Sequence, residues 1–212
     1  MNRLWSAFRQ RFPGVPESDR WIVVDTETSG LDPDRDHLLS VGAVALQGGQ
    51  LQVADSFELT VDSPAPVDTD NILLHGIGVA ARRAGVPLAV AMARWRGFRR
   101  DDPLIAFHAP FDRRVLQTAA RRCGLAPDHR PWLDVAELAS ALHPGPARQR
   151  HSLDDWLAHM GLPMGRRHNA MADALATATL LMRLHADAGR PATFRSLVRT
   201  ARDHRNIGGS GA

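Results

Sequence analysis

The stretch WIVVDTETSGL, residues 21–31, decides the fold expected of this chain. Its four apolar residues at 21–24 form a continuous run of strand character, and a Thr-Ser-Gly turn signal follows. Asp25 and Glu27 lie at the end of that strand, and residues two apart on a strand point to the same face. Two neighbouring carboxylates repel each other unless a cation lies between them, and paired oxygen ligands suit Mg²⁺ or Mn²⁺. The stretch therefore predicts a strand that ends in a metal site, with two solvated acids as the simpler alternative.

Turn signals and hydrophobic periodicity divide the rest of the chain into strands followed by alternating helices and strands. Strands are expected at 38–46 and 51–61, and with the first strand they form an antiparallel meander. Helices are expected at 70–75, 87–100, 111–123, 135–142 and 169–188, with short strands at 104–107 and 131–134. A capping box at Ser152 predicts one more short helix. This order of elements predicts an α/β domain.

Length and composition limit the classes of protein. The 212 residues are 44% hydrophobic and fit one globular domain, which we place at 20–189 between a helical N-terminal extension (1–19) and a C-terminal extension with a flexible tail (190–212). No apolar run approaches a membrane span, and the first fifteen residues lack the pattern of a secretory signal, so we expect a cytoplasmic protein without membrane contact. The single cysteine excludes an internal disulfide and a thiolate-rich zinc site.

The charge is weak evidence for a nucleic-acid partner. The formal net charge is only +3, and all 26 basic side chains are arginines. Two arginine doublets, at 113–114 and 166–167, adjoin candidate site residues, and for these two we expect phosphate contacts.

Two further acids head the apolar faces of predicted helices. Asp112 is in line with Val115, Leu116 and Ala119, and Asp173 is in line with Thr177, Leu180 and Leu184. An unpaired carboxylate that faces a core is costly. Each acid either stabilises its helix N-terminus through the macrodipole or points into a cation site, and for Asp112 the two interpretations are about equal.

His168 lies five residues before Asp173, and five residues correspond to roughly 140° of rotation around a helix. The two side chains cannot share a helical face, so His168 is expected in the loop before an Asn169 N-cap. A loop histidine with a near-neutral pKa suits a general base, although most such histidines are surface residues.

These motifs together resemble those of a known family. Asp25-x-Glu27, then Ala-Pro-Phe-Asp112, then His168-x-x-x-x-Asp173 looks like the three motifs of the DnaQ-like 3′-5′ exonucleases, in the His subclass of the DEDD superfamily. The His-Gly-Ile segment at 75–77 is similar to one that precedes the family's second motif. The resemblance covers residues 20–185 and implies an RNase H-like fold: a mixed sheet of about five strands flanked by helices, which agrees with the element order above.

The resemblance also implies a chemistry, in which the main domain is a metal-dependent exonuclease with two Mg²⁺ or Mn²⁺ ions. Asp25, Glu27 and Asp173 would hold the metal that binds the attacking water. Asp25 and Asp112 would support the second metal, and His168 would remove the proton of the water. The products would be nucleoside 5′-monophosphates.

The family's pocket for the terminal nucleotide maps onto a larger set of residues. By resemblance, these substrate-binding residues are Thr26, Thr28, Gly30, Leu31, Asp70, His75, His108 and Phe111. His108 stands where many relatives carry Asn, which puts the substrate preference in doubt. We expect nucleic acid with single-stranded 3′ ends as partner, DNA favoured over RNA, and a separate polymerase subunit as a candidate; the oligomeric state is left open.

Other classes of protein remain as alternatives. An RNA-trimming exoribonuclease or an oligoribonuclease would share the fold and the motifs. A non-catalytic nucleic-acid-binding module would be expected to have lost at least one of the five motif residues, and none is lost. A phosphatase with an aspartyl nucleophile usually needs a second Asp where Glu27 stands, and a later lysine that this chain lacks.

Overall fold

The computed structural model describes residues 19–64, 76–147, 152–165, 168–189 and 192–208. Residues 1–18 of the expected N-terminal helical extension, the helix expected at 70–75 and the arginines at 166–167 lie outside these ranges. Six strands run along the described chain: β1 (Arg20–Thr28), β2 (Leu38–Gln47), β3 (Gln50–Asp62), β4 (Val86–Pro87), β5 (Leu104–Ala106) and β6 (Trp132–Asp134). The helices are α1 (Val79–Arg83), α2 (Leu88–Arg99), α3 (Ala109–Arg122), α4 (Val135–Leu142), α5 (Pro144–Ala147), α6 (Leu153–His159), α7 (Ala170–Asp187) and α8 (Phe194–Gly208).

The strands form one mixed sheet in the order β4-β3-β2-β1-β5-β6. β1, β2 and β3 pair antiparallel, which confirms the predicted meander, while β5 and β6 continue the sheet in parallel. The sequence predicted about five strands, and the additional one is β4. With two residues, β4 is too short to show a periodic pattern.

β1 is buried on both faces, and its residues alternate between two hydrophobic cores. Trp21 and Val23 pack with α4, α6, α7 and α8 on one side. Ile22 and Val24 pack with α2 and α3 on the other side. A strand that is covered on both faces needs apolar residues at every position, which explains the uninterrupted apolar run at residues 21–24.

The ends of several helices follow the capping rules. Ser152 and Asp155 form the predicted capping box of α6. Asn169 caps α7 by accepting a hydrogen bond from the backbone N–H of Ala172, which confirms its predicted place. Within the described ranges, no helix combines the length and the apolar character that a membrane crossing requires.

Candidate active site

Three of the acids from the motifs meet at the C-terminal end of β1. Each of Asp25, Glu27 and Asp173 offers a carboxylate oxygen within 4.8 Å of the others, and among the described residues no other group of three or more His, Cys, Asp or Glu side chains has this spacing. Asp25 and Glu27 come from the face of β1 that packs on α7, and Asp173 comes from the first turn of α7, where it is buried. Hard carboxylate oxygens that converge in this way fit Mg²⁺ or Mn²⁺.

A glycine brings α7 close enough to complete this cluster. Gly42 of β2 pairs with Asp25 across the sheet. A Cβ on Gly42 would lie 2.2 Å from the backbone carbon of Ala170 and the nitrogen of Met171, so only glycine permits this approach. The first turn of α7 thus rests directly on β2, beside Asp25. Gly42 was not among the site residues predicted from the sequence, although a glycine inside an apolar strand is a signal of close backbone contact.

His168 lies one residue before the Asn169 cap, in the loop where the sequence placed it. Its side chain is exposed and its backbone has a left-handed conformation, with φ of 59°. The backbone N–H of His168 donates a hydrogen bond of 3.1 Å to Oδ2 of Asp173. The loop is therefore tied to a carboxylate of the cluster, while the ring of His168 stays accessible to water.

Asp112 approaches the same part of β1 from the opposite face. Oγ1 of Thr26, which lies between Asp25 and Glu27, donates a hydrogen bond of 2.8 Å to Oδ1 of Asp112. The pKa of Asp112 is raised to about 7, because burial, helped by the charge of Asp134, outweighs the lowering effect of the Thr26 hydrogen bond. Asp112 lies in the first turn of α3, but its carboxylate is engaged by the strand-end segment that carries Asp25 and Glu27. It is not one of the three converging acids.

Asp134 organises the turn that leads into Asp112, and the sequence analysis missed it. Its Oδ1 accepts hydrogen bonds from the backbone N–H of Ala136, which caps α4, and from that of His108, at 3.0 and 3.1 Å. His108 has a left-handed backbone, with φ of 58°, and is the N-cap of α3. Burial raises the pKa of Asp134. The sequence did offer one signal for this role, because Asp134 is an acid at the junction between a predicted strand and a predicted helix.

The residues expected to bind the terminal nucleotide are placed in different environments. Leu31 is 91% exposed and His108 is also exposed. Oγ1 of Thr28 donates to the carbonyl of Gly30, and a Cβ on Gly30 would lie within 2.8 Å of the carboxylate of Asp36.

Two other members of this set contribute to packing. Thr26 is buried and uses its hydroxyl on Asp112. Phe111 is partly buried against the core beneath α2 and α3. Asp70 and His75 lie outside the described residues.

The arginine doublet beside Asp112 is divided between two environments. Arg114 forms an ion pair with Asp34, in which Nε lies 2.6 Å from Oδ1 and Nη2 lies 3.0 Å from Oδ2. Arg113 is exposed. The phosphate contact that the sequence suggested for this doublet would therefore fall to Arg113, because Arg114 is engaged within the chain.

Comparison with known proteins points to one family. A family model described as an exonuclease, RNase T, matches residues 22–181. The PolC-type DNA polymerase III of Listeria monocytogenes is 30% identical over 172 residues, which cover 81% of this chain and only 12% of the polymerase.

Solved structures share the fold. Exonuclease X, in complex with 5′ overhanging duplex DNA, has a TM-score of 0.67 at 22% identity and covers 85% of this chain and 99% of its own. The nuclease domain of 3′hExo, a DEDDh family member bound to rAMP, has a TM-score of 0.70 at 17% identity, over 82% of this chain and 95% of its own. These likenesses confirm the expected RNase H-like α/β architecture.

The match of the family model extends from β1 into α7 and includes the whole acidic cluster. With more than half of its length matched, the chain belongs to the exonuclease family and has the fold of DEDDh 3′-5′ exonucleases.

Proposed function

We propose that the chain is a metal-dependent 3′-5′ exonuclease that removes nucleoside 5′-monophosphates from single-stranded DNA. The observation that carries this proposal is the convergence of Asp25, Glu27 and Asp173 within 4.8 Å in a chain of the exonuclease family.

The carboxylates suit two divalent cations. Asp25, Glu27 and Asp173 would hold one Mg²⁺ or Mn²⁺, and Asp25 with Asp112 would support the second. Bound cations of this kind lower the pKa of water and stabilise charge on the attacking and leaving oxygens of a phosphodiester.

His168 is the proposed general base. A ring nitrogen of a neutral imidazole can accept the proton of the attacking water. The hydrogen bond from the backbone of His168 to Asp173 keeps its loop beside the carboxylates. The left-handed backbone at His168 is a sparsely populated conformation, which is typical of residues held for a functional purpose.

Nucleotide binding is proposed for the exposed members of the set that the resemblance implies. Leu31 offers an apolar surface to the terminal base, and His108 offers a ring beside Asp112's helix. Asp70 and His75 are proposed from the resemblance alone.

The likeness to Exonuclease X in complex with DNA and to a DNA polymerase III supports DNA as substrate. The polymerase match also supports a proofreading role, in which a separate polymerase chain is the partner. The likeness to 3′hExo bound to rAMP supports a second candidate, an exoribonuclease that trims RNA.

The proposal is tested with 5′-labelled single-stranded DNA, a duplex with a mismatched 3′ end and a short RNA, each incubated with Mg²⁺. We expect a ladder that shortens from the 3′ end, fastest on single-stranded DNA, with nucleoside 5′-monophosphate as product. Asp25→Asn should reduce the rate at least about a thousandfold, because several kcal/mol of charge stabilisation are lost. Asp203→Asn, which changes an exposed acid of α8, is the matched control and should leave the rate unchanged.

Cleavage that Asp25→Asn does not alter would contradict the proposed site. Tight binding of all three substrates without cleavage would instead support a non-catalytic nucleic-acid-binding module. Faster turnover of RNA than of DNA would support the exoribonuclease.

A further inference from the structure

The loop that follows β1, residues 29–37, is held in one shape by its own polar groups. The backbone N–H of Ser29 donates to the carbonyl of His37, and the N–H of His37 donates to Oγ of Ser29, both at 2.9 Å. Asp36 turns inward and accepts hydrogen bonds from the N–H of Asp32 and from Oγ of Ser29. The loop carries Leu31 with its side chain 91% exposed.

Three arginines of α3 fasten this loop to the body of the domain. Arg121 and Arg122 follow Arg114 by seven and eight residues, about two helical turns, so the three lie on one side of the helix. We call these three the arginine clamp.

The contacts of the arginine clamp are specific. Arg114 binds both carboxylate oxygens of Asp34, and Arg121 adds a contact of 3.3 Å to Oδ1 of the same residue. Arg122 donates to three backbone carbonyls, those of Asp34, Arg35 and Asp36, at 3.3, 2.8 and 2.7 Å. The planar guanidinium has several donors in a fixed arrangement, which a lysine could not reproduce.

The helix that carries the clamp also carries Asp112 in its first turn. The loop therefore has two fixed connections to the acidic site. At one end it continues from β1, which carries Asp25 and Glu27, and along its length it is bound to the later turns of α3. This arrangement ties the loop that carries Leu31 to the two elements that carry Asp25, Glu27 and Asp112.

We infer that the arginine clamp positions the substrate indirectly: it holds the loop so that Leu31 meets the terminal nucleobase while the carboxylates engage the scissile phosphate. The inference rests on the proposed exonuclease function. Arg114, Arg121 and Arg122 are positioning residues in this account, because their donors are used on the loop and not on phosphates of the nucleic acid.

The first test compares Arg122→Met and Arg122→Lys with wild type in steady-state hydrolysis of single-stranded DNA. Both variants should raise KM by roughly five- to tenfold, because hydrogen bonds that hold the loop are lost, and both should leave kcat within about twofold. Arg94→Met removes the charge of an exposed arginine on α2 and is the control, with KM unchanged.

Salt dependence separates positioning from a direct phosphate contact. A positioning role predicts that the slope of log KM against log salt is the same in wild type and in Arg122→Met. If Arg122 bound a phosphate, Arg122→Met would reduce that slope by about one contact and Arg122→Lys would retain it, which would overturn the inference.

A double-mutant cycle tests whether the clamp acts through Leu31. In a Leu31→Ala background, Arg122→Met should have little further effect on KM, whereas independent roles would give additive effects. Asp34→Asn weakens the clamp from the loop side without changing α3, and it should raise KM with the same salt slope. Additive effects in the cycle, or an unchanged KM in Arg122→Met, would contradict the inference about the arginine clamp. The exonuclease proposal would stand in that case, because the wild type would still be active. An inactive wild type would contradict the exonuclease proposal itself.

Discussion

Asp112 is an acid of the site whose protonation the fold affects strongly. It is 4% exposed, accepts a hydrogen bond from Thr26, and has its pKa raised from an ordinary value of 3.8 to about 7, mainly by burial. Between these two pH values the folded chain retains a proton that the unfolded chain releases. In the absence of metal, this proton links stability to pH.

This linkage predicts the direction of a pH effect. The contribution of Asp112 to the free energy of unfolding is fully present below about pH 4 and is lost as the pH rises through about 7, because the folded state binds the proton more tightly. Urea unfolding in a metal chelator from pH 4.5 to 7.5 should show wild type losing more stability than Asp112→Asn, by up to a few kcal/mol. Parallel profiles for the two proteins would show that Asp112 does not titrate in this range.

Several features of single residues could be predicted from the sequence because they depend on local rules. Asp25 and Glu27 are two residues apart in a strand, which places them on one face of β1. The rotation of a helix over five residues would separate His168 from Asp173, which places His168 before the Asn169 cap. The role of Asp134 depends on a hydrogen bond to a backbone 26 residues away, at His108. No local pattern encodes that contact, so sequence analysis missed it.

At the scale of elements, the contact between β2 and α7 positions the acidic site. Gly42 lets the first turn of α7 approach the strand beside Asp25, and this approach brings Asp173 to Asp25 and Glu27. The apolar composition of β2 predicts that the strand is buried, but it does not predict which helix covers the strand.

Gly42→Ala should therefore separate the elements that form the site. The added Cβ would collide with backbone atoms of Ala170 and Met171, which cannot yield as a flexible side chain would. We expect a loss of about 1–3 kcal/mol of stability and a weaker affinity for Mn²⁺ in calorimetric titration.

Gly97→Ala provides the matched control for this prediction. Gly97 lies within α2, and a Cβ there would meet nothing within 4 Å, so the variant should be stabilised by about 0.5–1 kcal/mol with unchanged Mn²⁺ affinity. Equal metal affinity in Gly42→Ala and wild type would show that the contact does not set the position of Asp173.

The order of the elements was predictable, whereas their long-range contacts were not. The meander, the helix at α7 and the cap at α6 follow from periodicity and turn signals. The pair between Arg114 and Asp34 joins residues 80 positions apart. The sequence suggested a phosphate contact for the doublet that contains Arg114, because an exposed arginine and a paired one look the same in a sequence.

At the scale of the whole molecule, the fold places carboxylates from distant segments at one point. Asp25 and Asp173 are close in space although most of the domain separates them in sequence. Their mutual repulsion opposes folding without metal, and a bound cation turns the same arrangement into a source of stability.

Metal should therefore stabilise the entire domain against heat. Mg²⁺ or Mn²⁺ at a hundred times its dissociation constant should add about 2.7 kcal/mol and raise Tm. Asp25→Asn should raise Tm in chelator, because one repelling charge is removed, and should abolish most of the response to metal. A full metal response in Asp25→Asn would place the cation elsewhere, and Asp203→Asn should respond as wild type does.

The alternation of side chains along β1 also restricts how the length of this chain can change during evolution. Asp25 and Glu27 face α7, and Thr26 between them reaches Asp112 on α3. Insertion or deletion of one residue in β1 ahead of Asp25 would exchange the two faces, directing a threonine at Asp173 and two carboxylates at α3. The turn at Gly48 has open space around it and can vary in length without this exchange. Homologues that retain the site should therefore differ in length at such turns, while the segment from Trp21 to Glu27 keeps its length.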